Sequence, residues 1–252
     1  MTAYKIKYTT LCHKGKIRDK NQDNFWCMGR FLKKDNDGLS EPVSGVTKPG
    51  ESSAFAVFDG LGGEQQGEMA AYIAAKSFDK HYKRESKKND TETFLNRICN
   101  IMNRKICDYA KKNHIRNTGT TTAIIKFGIE DIGVCNLGDS RIYRMSEGVL
   151  EQVSCDHSMP FANSRKAPLS QHLGIEEKTF LIEPFIEKKK YAQGDYYLIC
   201  SDGLTDMVSD EEISKIFVGD VSCIAEKLMQ QALENGGSDN ITLIVCEVQC
   251  DK

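Results

Sequence analysis

The sequence predicts an α+β fold built as one domain over residues 1–252. Short β-branched or aromatic runs recur along the chain. Two amphipathic stretches follow one another between strands, and a second helical region precedes the last apolar run. Strict strand–helix alternation would instead give a parallel sheet, so the helix pairs point to helices laid against an antiparallel one.

In chain order, Ala54–Phe58 reads as a first strand. Ala70, Ala74, Phe78 and Tyr82 then recur every four residues, and after a polar break Phe94, Ile98, Ile101, Met102, Ile106 and Tyr109 mark a second apolar stripe. Together they read as a helical hairpin whose methionine, like Met229 later, belongs to the core. Thr121–Phe127 and Ile132–Asn136, split by a few residues, read as an antiparallel hairpin, followed by strands at Arg141–Met145 and Tyr196–Cys200. Ser209 and Glu212 have the spacing of a capping box for a short helix. Val221, Ala225, Leu228, Met229 and Ala232 mark a longer one that stops at Gly236–Gly237, and Ile241–Val248 is the last strand. Leu32–Ser53, polar with Gly, Pro and Ser, reads as one long insertion loop, and Lys83–Thr91 as a solvated connection.

Composition excludes several classes. With 40% hydrophobic and 28% charged residues the chain is ordinary globular protein. Area scaling buries about 73% of the unfolded surface, enough for a core without staples. Thirty-four basic against thirty-six acidic residues give no case for nucleic acid or an anionic membrane. The apolar runs are far shorter than a spanning helix, and Met1–Thr10 lacks the apolar centre of a signal peptide, so a cytoplasmic location is expected. Ten cysteines without a Cys-x-x-Cys, three of them (Cys135, Cys200, Cys246) inside apolar runs, read as buried hydrophobes, with neither a disulfide framework nor zinc.

The informative feature is the placement of aspartates. Asp59 ends a strand and opens Asp59-Gly60-Leu61-Gly62-Gly63. Asp202 follows a strand and opens Asp202-Gly203-Leu204. Asp239 precedes the last strand, Asp139 follows another, and Asp23 lies in Asn21-Gln22-Asp23. One Asp-Gly is usually a turn. Five such carboxylates, held at strand ends beside glycines, would repel one another unless cations lay between them. Oxygen-only ligands favour Mg²⁺ or Mn²⁺. A dinucleotide fingerprint is excluded, because Gln65 occupies the last glycine's place and Asp59 would repel a pyrophosphate.

Taken in order, seven segments resemble the PPM/PP2C family of metal-dependent serine/threonine protein phosphatases, in its compact bacterial form. They are Arg18-Asp19-Lys20-Asn21-Gln22-Asp23, Val57-Phe58-Asp59-Gly60-Leu61-Gly62-Gly63, Gly119-Thr120-Thr121-Thr122-Ala123, Asn136-Leu137-Gly138-Asp139-Ser140-Arg141, Asp156-His157-Ser158, Cys200-Ser201-Asp202-Gly203-Leu204 and Gly237-Ser238-Asp239-Asn240-Ile241-Thr242. The resemblance implies two antiparallel sheets packed as a β-sandwich and flanked on each face by antiparallel helices. It implies that Asp23, Asp59, the Gly60 carbonyl, Asp202 and Asp239 hold two divalent cations, Mn²⁺ or Mg²⁺, bridged by a water or hydroxide. Arg18 would bind the substrate phosphate, and Asp139, Asp202 and Asp206 would match a weaker third metal site of some members. The implied activity is hydrolysis of phosphoserine and phosphothreonine in proteins, reversing a serine/threonine kinase. Partners are then phosphoprotein substrates, with no nucleic acid and no membrane, and the chain is expected to be a monomer.

Three departures bear on that activity. Gln22 stands where many members have Glu. Leu61 replaces the His proposed as general acid in animal members. The flap after Asp156-His157-Ser158 is cut down to about Met159–Leu173. They keep two other readings open: a binding module that has lost turnover, and a hydrolase of small phosphoesters. His157 is expected to be structural, and His13 and His172 stand as candidates for protonating a leaving group.

Overall fold

All six apolar runs become strands, and they run apolar without alternation because both of their faces are covered. The computed structural model describes residues 4–48, 51–61, 66–85, 90–129, 131–159 and 168–250. Within them the order is β1 (Tyr4–His13), β2 (Asp23–Cys27), β3 (Val43–Val46), β4 (Ser53–Leu61), α1 (Gly67–Glu85), α2 (Thr91–Lys112), β5 (Gly119–Thr120), β6 (Thr122–Phe127), β7 (Asp131–Leu137), β8 (Arg141–Ser146) and β9 (Val149–Gln152). There follow β10 (Phe185–Lys190), β11 (Tyr196–Cys200), α3 (Asp202–Thr205), α4 (Asp210–Ile216), α5 (Val221–Glu234) and β12 (Ile241–Cys250). One sheet has the order β3-β1-β12-β11-β8-β9 and the other β10-β7-β6-β4-β2, with β5 paired to β4 alone.

The strand period explains the layers. In β4, Phe55 and Val57 point into the core between the sheets, while Ala54, Ala56 and Phe58 point into the core beneath α1 and α2. In β12, Ile244, Cys246 and Val248 face inward, and Leu243 and Val245 face the core beneath α4 and α5. The result is the expected sandwich with helices on both outer faces. The hairpin of β6 and β7 is antiparallel, as the sequence predicts, from Thr122 opposite Leu137 to Phe127 opposite Ile132. The capping box at Ser209 and Glu212 is present, and α5 ends at Glu234, before the glycine pair.

The sequence reading misses six strands, β1, β2, β3, β5, β9 and β10, and for four of them the physical reason is plain. The strands β3, β9 and β10 lie at or beside sheet edges, and β10 (Phe-Ile-Glu-Lys-Lys-Lys) carries the charges that edges use to discourage further pairing. In β1, lysines and threonines dilute the alternation. The segment Leu32–Ser53 is therefore not one loop: Val43–Val46 pairs with β1, Lys7 opposite Val46 through Thr10 opposite Val43. Likewise Lys83–Glu85 belongs to α1 and Thr91 to α2, so the connection is shorter than Lys83–Thr91. All ten cysteines are free; Cys135, Cys200 and Cys246 are buried as expected.

Phe127 is the hub of the inter-sheet core, in edge-to-face contact with Phe55, Tyr191 and Tyr197 at centroid distances of 6.0, 5.7 and 5.5 Å. Phe127→Ala should therefore cost about 3–5 kcal/mol in denaturant unfolding. Val149→Ala, on an exposed edge, should stay within about 0.5 kcal/mol.

Candidate active site

Asp23 and Asp59 stand directly opposite one another in the antiparallel pair of β2 and β4. Opposed residues point to the same face with Cβ atoms about 5 Å apart, so the ladder itself sets two carboxylates side by side. Asp202 begins α3 at the end of β11, and Asp239 lies one residue before Asn240 and the start of β12. Two strand pairs, β2 with β4 at the edge of one sheet and β11 with β12 at the centre of the other, thus deliver four aspartates to one end of the sandwich. Asp139 follows β7 at the crossing between the sheets, and Asp206 caps the C-terminus of α3, its N–H donating to the Asp202 carbonyl at 2.7 Å.

Asp23 is 2% exposed. Its Oδ2 accepts from the hydroxyls of Ser201 (2.8 Å) and Thr242 (2.7 Å), and its Oδ1 is buried with no hydrogen-bond partner among the described residues. One oxygen is thereby fixed and the other left bare. The fixing extends further. The Asp23 N–H donates to Asn21 Oδ1, and Asn21 Nδ2 donates to Cys12 Sγ at 3.2 Å. Thr242 Oγ1 lies 3.1 Å from the same sulfur. The Thr242 hydroxyl thus stands within donating distance of both the Asp23 carboxylate and the Cys12 sulfur, and these contacts close a ring through Asn21. Asp59 is held through its backbone: its N–H donates to Thr121 Oγ1 (3.1 Å), and its carbonyl accepts from Thr121 N–H (2.8 Å) and Thr120 Oγ1 (2.9 Å). Ser201, Thr242, Thr121 and Cys12 were not assigned roles from sequence. The first three sit inside the quoted motifs, and the fourth lies in β1, a strand that the sequence reading misses.

The electrostatics follow from this crowding. Burial, joined by the charges of Asp202 and Asp239, pushes the Asp23 carboxyl up to about 7 against the pull of the two hydroxyls. Burial raises Asp59 well above the carboxylate range, with Asp202, Asp23, Asp139 and Asp239 adding to the effect. The five predicted aspartates are therefore within one field. Arg18 enters the same field: its Nη2 donates to Asp239 Oδ2 at 2.8 Å, and that bond raises the guanidinium's affinity for its proton, with smaller contributions from Asp59 and Asp202.

Asn240 positions the Arg18 segment. Its Oδ1 accepts from Gln22 N–H, and its Nδ2 donates to the carbonyls of Lys14 (2.7 Å) and Lys20 (2.9 Å), so one buried amide ties both ends of residues 14–22 to the Asp239 turn. Gly60 is packed too closely for any side chain: a Cβ there would lie 2.4 Å from the Gly67 carbonyl oxygen and 2.5 Å from that of Gln22. The first turn of α1 thus presses on the residue whose carbonyl was predicted to face the site.

Each departure also has a location. Gln22 Nε2 donates to Glu68 Oε2 at 3.2 Å, where a glutamate would face like charge. Leu61 lies opposite Gly119 in the short β4–β5 pair. His157 is structural as expected: its Nδ1 accepts from Gly138 N–H and its own N–H donates to the Gly138 carbonyl. Of the flap segment, residues 160–167 lie outside the described residues. Ser158 bridges Leu169, and Met159 N–H donates to the Pro168 carbonyl. Gly62 and Gly63 also lie outside them.

An all-oxygen set with a bare buried carboxylate oxygen at its centre fits hard divalent cations. Among the described residues no three His, Cys, Asp or Glu side chains converge into a ready-made cage. Ligation would have to draw on the Gly60 carbonyl and water, as Mg²⁺ and Mn²⁺ commonly do. The raised carboxyls give a sign that can be checked. Without cations the native state holds protons that the unfolded state releases near pH 4, so stability falls as pH rises from about 4 through 7. In chelator, the melting temperature should be higher at pH 5 than at pH 7.5. Asp23→Asn should flatten that slope; an unchanged slope would exclude Asp23 as its source.

The chain's relatives bear on these residues. The protein phosphatase 2C family profile matches residues 42–236, which leaves Arg18, Asp23 and Asp239 outside the matched stretch. The serine/threonine protein phosphatase PstP of Mycobacterium tuberculosis is 26% identical over 96% of this chain, which spans only 45% of that protein's length. The serine/threonine phosphatase stp of Listeria monocytogenes is 29% identical, over 93% of this chain and 92% of its own. Among solved structures, the catalytic domain of PstP in complex with two manganese ions superposes with a TM-score of 0.78 at 26% identity, over 98% of this chain and 99% of that one. With its profile spanning most of the sequence, the chain belongs to the protein phosphatase 2C family.

Proposed function

We propose that the protein is a metal-dependent phosphatase that removes phosphate from phosphoserine and phosphothreonine in proteins, opposing a serine/threonine kinase. The observation that carries this is Asp23: a buried carboxylate, one oxygen saturated by two hydroxyls and the other bare, set opposite Asp59 and within the field of Asp202 and Asp239. Asp23, Asp59, the Gly60 carbonyl, Asp202 and Asp239 would hold two divalent cations, Mn²⁺ or Mg²⁺, and Asp139, Asp202 and Asp206 a weaker third. Family membership and the two manganese ions of PstP support that reading. Bound there, two cations supply the positive charge that a dianionic phosphomonoester needs and activate the attacking water.

The chain's own groups do the rest. The hydroxyls of Ser201 and Thr242 hold Asp23 in one orientation, which keeps the reacting geometry from relaxing. Arg18, half exposed beside Asp239, presents a planar fork that can turn to the phosphate oxygens. Leu61 offers no proton, so the leaving alkoxide must be served by another group. Two histidines differ here. Gly15 N–H donates to His13 Nδ1, so the neutral His13 ring carries its proton on Nε2. His172 donates from Nδ1 to the Leu173 carbonyl at 2.9 Å, which leaves its Nε2 open to take up a proton and hand it on. His172 is therefore the better-arranged donor. Its ring also lies against Gly119, the residue opposite Leu61. No helix among the described residues is long and apolar enough to cross a membrane. We take the enzyme to act as a cytoplasmic monomer, which sedimentation and fractionation would check.

Hydrolysis of phosphopeptides and of an aryl phosphate should require added Mn²⁺ or Mg²⁺ and vanish in chelator. Asp59→Asn and Asp239→Asn should lower kcat by more than about 10²-fold while the fold is retained, and Arg18→Ala should act mainly on KM. Turnover undiminished by exhaustive chelation would exclude the reading. The missing acid predicts a further pattern. General acid catalysis is worth about 10²–10⁴-fold, and aryl leaving groups need little of it. His172→Ala should slow alkyl phosphates more than aryl phosphates and steepen the dependence of rate on leaving-group pKa. His13→Ala should do neither. Equal slopes for all three proteins would place the proton donor elsewhere.

A further inference from the structure

The outer face of the α1–α2 hairpin, away from the aspartates, carries a concave cavity of about 540 Å³. Lys80 and His81 of α1, Arg97, Arg104 and Lys105 of α2, and Glu177 of the following loop line it. Lys80, Arg104 and Lys105 thus face one acid, Glu177, while Arg97 is already engaged by another contact, in a chain whose net charge is −2. An ordinary solvated helix face alternates its signs, as Lys83 with Asp79 and Lys215 with Glu211 do here at i,i+4. Within the cavity that alternation lapses for one stretch of α2, since no acid stands between Arg97 and Arg104, and Asp108 follows only one turn beyond. Like charges gathered in a concavity repel, and an anion seated there relieves the repulsion.

The rim indicates what kind of anion. The turn that carries Glu177, closed by bonds from Thr179 and Phe180 N–H to the Glu176 carbonyl, leads directly into Phe180 and Leu181, which are 53% and 66% exposed. An exposed aromatic and an exposed aliphatic side chain, three and four residues after a residue that lines an arginine-bearing cavity, match the composition of a protein interface. Distance ties this surface to the site. The first residue of α1, Gly67, presses on Gly60, and Lys80 lies thirteen residues along the same helix, ~20 Å away at 1.5 Å per residue. An extended peptide covers that in about six residues.

We propose that this cavity docks an anionic segment of the phosphoprotein substrate, separated from the phosphorylated residue by six or more residues. The inference rests on the phosphatase reading for its substrate, but the docking can be measured without turnover. Two phosphothreonine peptides would be compared, identical except for a block of four Glu or four Gln beginning eight residues away, on either side. The wild type should show a kcat/KM about fivefold or more higher for one acidic peptide, through KM and diminishing with salt. Arg104→Glu combined with Lys105→Glu should abolish the preference while leaving aryl phosphate turnover unchanged, which also shows that the variant is folded. In parallel, a fluorescent unphosphorylated Glu-block peptide should bind the wild type and not the double variant by anisotropy. Binding without peptide turnover would keep the docking surface and overturn the phosphatase reading. Peptide turnover with neither a preference nor a difference in binding would overturn the docking surface alone.

Discussion

The structure depends on one electrostatic constraint: two aspartates placed opposite each other in a β-ladder, one buried and the other half-buried, with two more beside the ends of neighbouring strands. The ladder gives Asp23 and Asp59 no freedom to separate, since moving either would break the register that runs from this pair to Cys27 opposite Phe55. A protein can tolerate such a pair only by holding protons or by holding cations. The raised carboxyl of Asp23 is the first solution, and its bare Oδ1 is suited to the second.

Much of the surrounding polar architecture can be understood as a consequence. Ser201, just after β11, and Thr242, in β12 of the same sheet, converge on a single oxygen of an aspartate in the other, so the hydroxyls also join the two sheets at their rim. Thr121 grips the Asp59 backbone and meets Ser140 at 2.6 Å, linking β4 to the crossing that carries Asp139. Asn240 fastens the Arg18 segment at three backbone points. Each of these groups is buried and hydrogen-bonded, so each orients a charged neighbour without adding a charge of its own.

The central strands were legible in the sequence because burial on both faces leaves an uninterrupted apolar run. The helices were legible because one buried stripe repeats at helical spacing. The edge strands were not: β3 and β10 make backbone bonds on one side only, and such bonds impose little on side-chain identity. The aspartates could be found because a carboxylate at the end of an apolar strand is an anomaly that composition does not explain. Their second layer was harder. A serine after a strand, as Ser201 is, or a threonine within one, as Thr242 is, carries no chemical oddity, and only the fold reveals that both hydroxyls aim at Asp23. Cys12 is the extreme case, since a buried cysteine in a strand is unremarkable until its sulfur is found between Asn21 and Thr242.

The replacement of Glu by Gln at position 22 illustrates how the same constraint acts on sequence. Its carbonyl accepts from Gly60 N–H, its own N–H is held by Asn240, and its side-chain amide meets Glu68, a half-buried carboxylate in the first turn of α1. A glutamate here would have to point at Glu68 or turn toward a site already crowded with negative charge. Lys20 approaches Glu68 only at 3.9 Å and is mostly exposed, so it screens the pair weakly. The neutral amide converts a repulsion into a hydrogen bond and pins the first turn of α1, which in turn presses Gly67 against Gly60. One negative charge is given up at the edge of the site, and in return the position of the Gly60 carbonyl is fixed by contacts that do not depend on any cation.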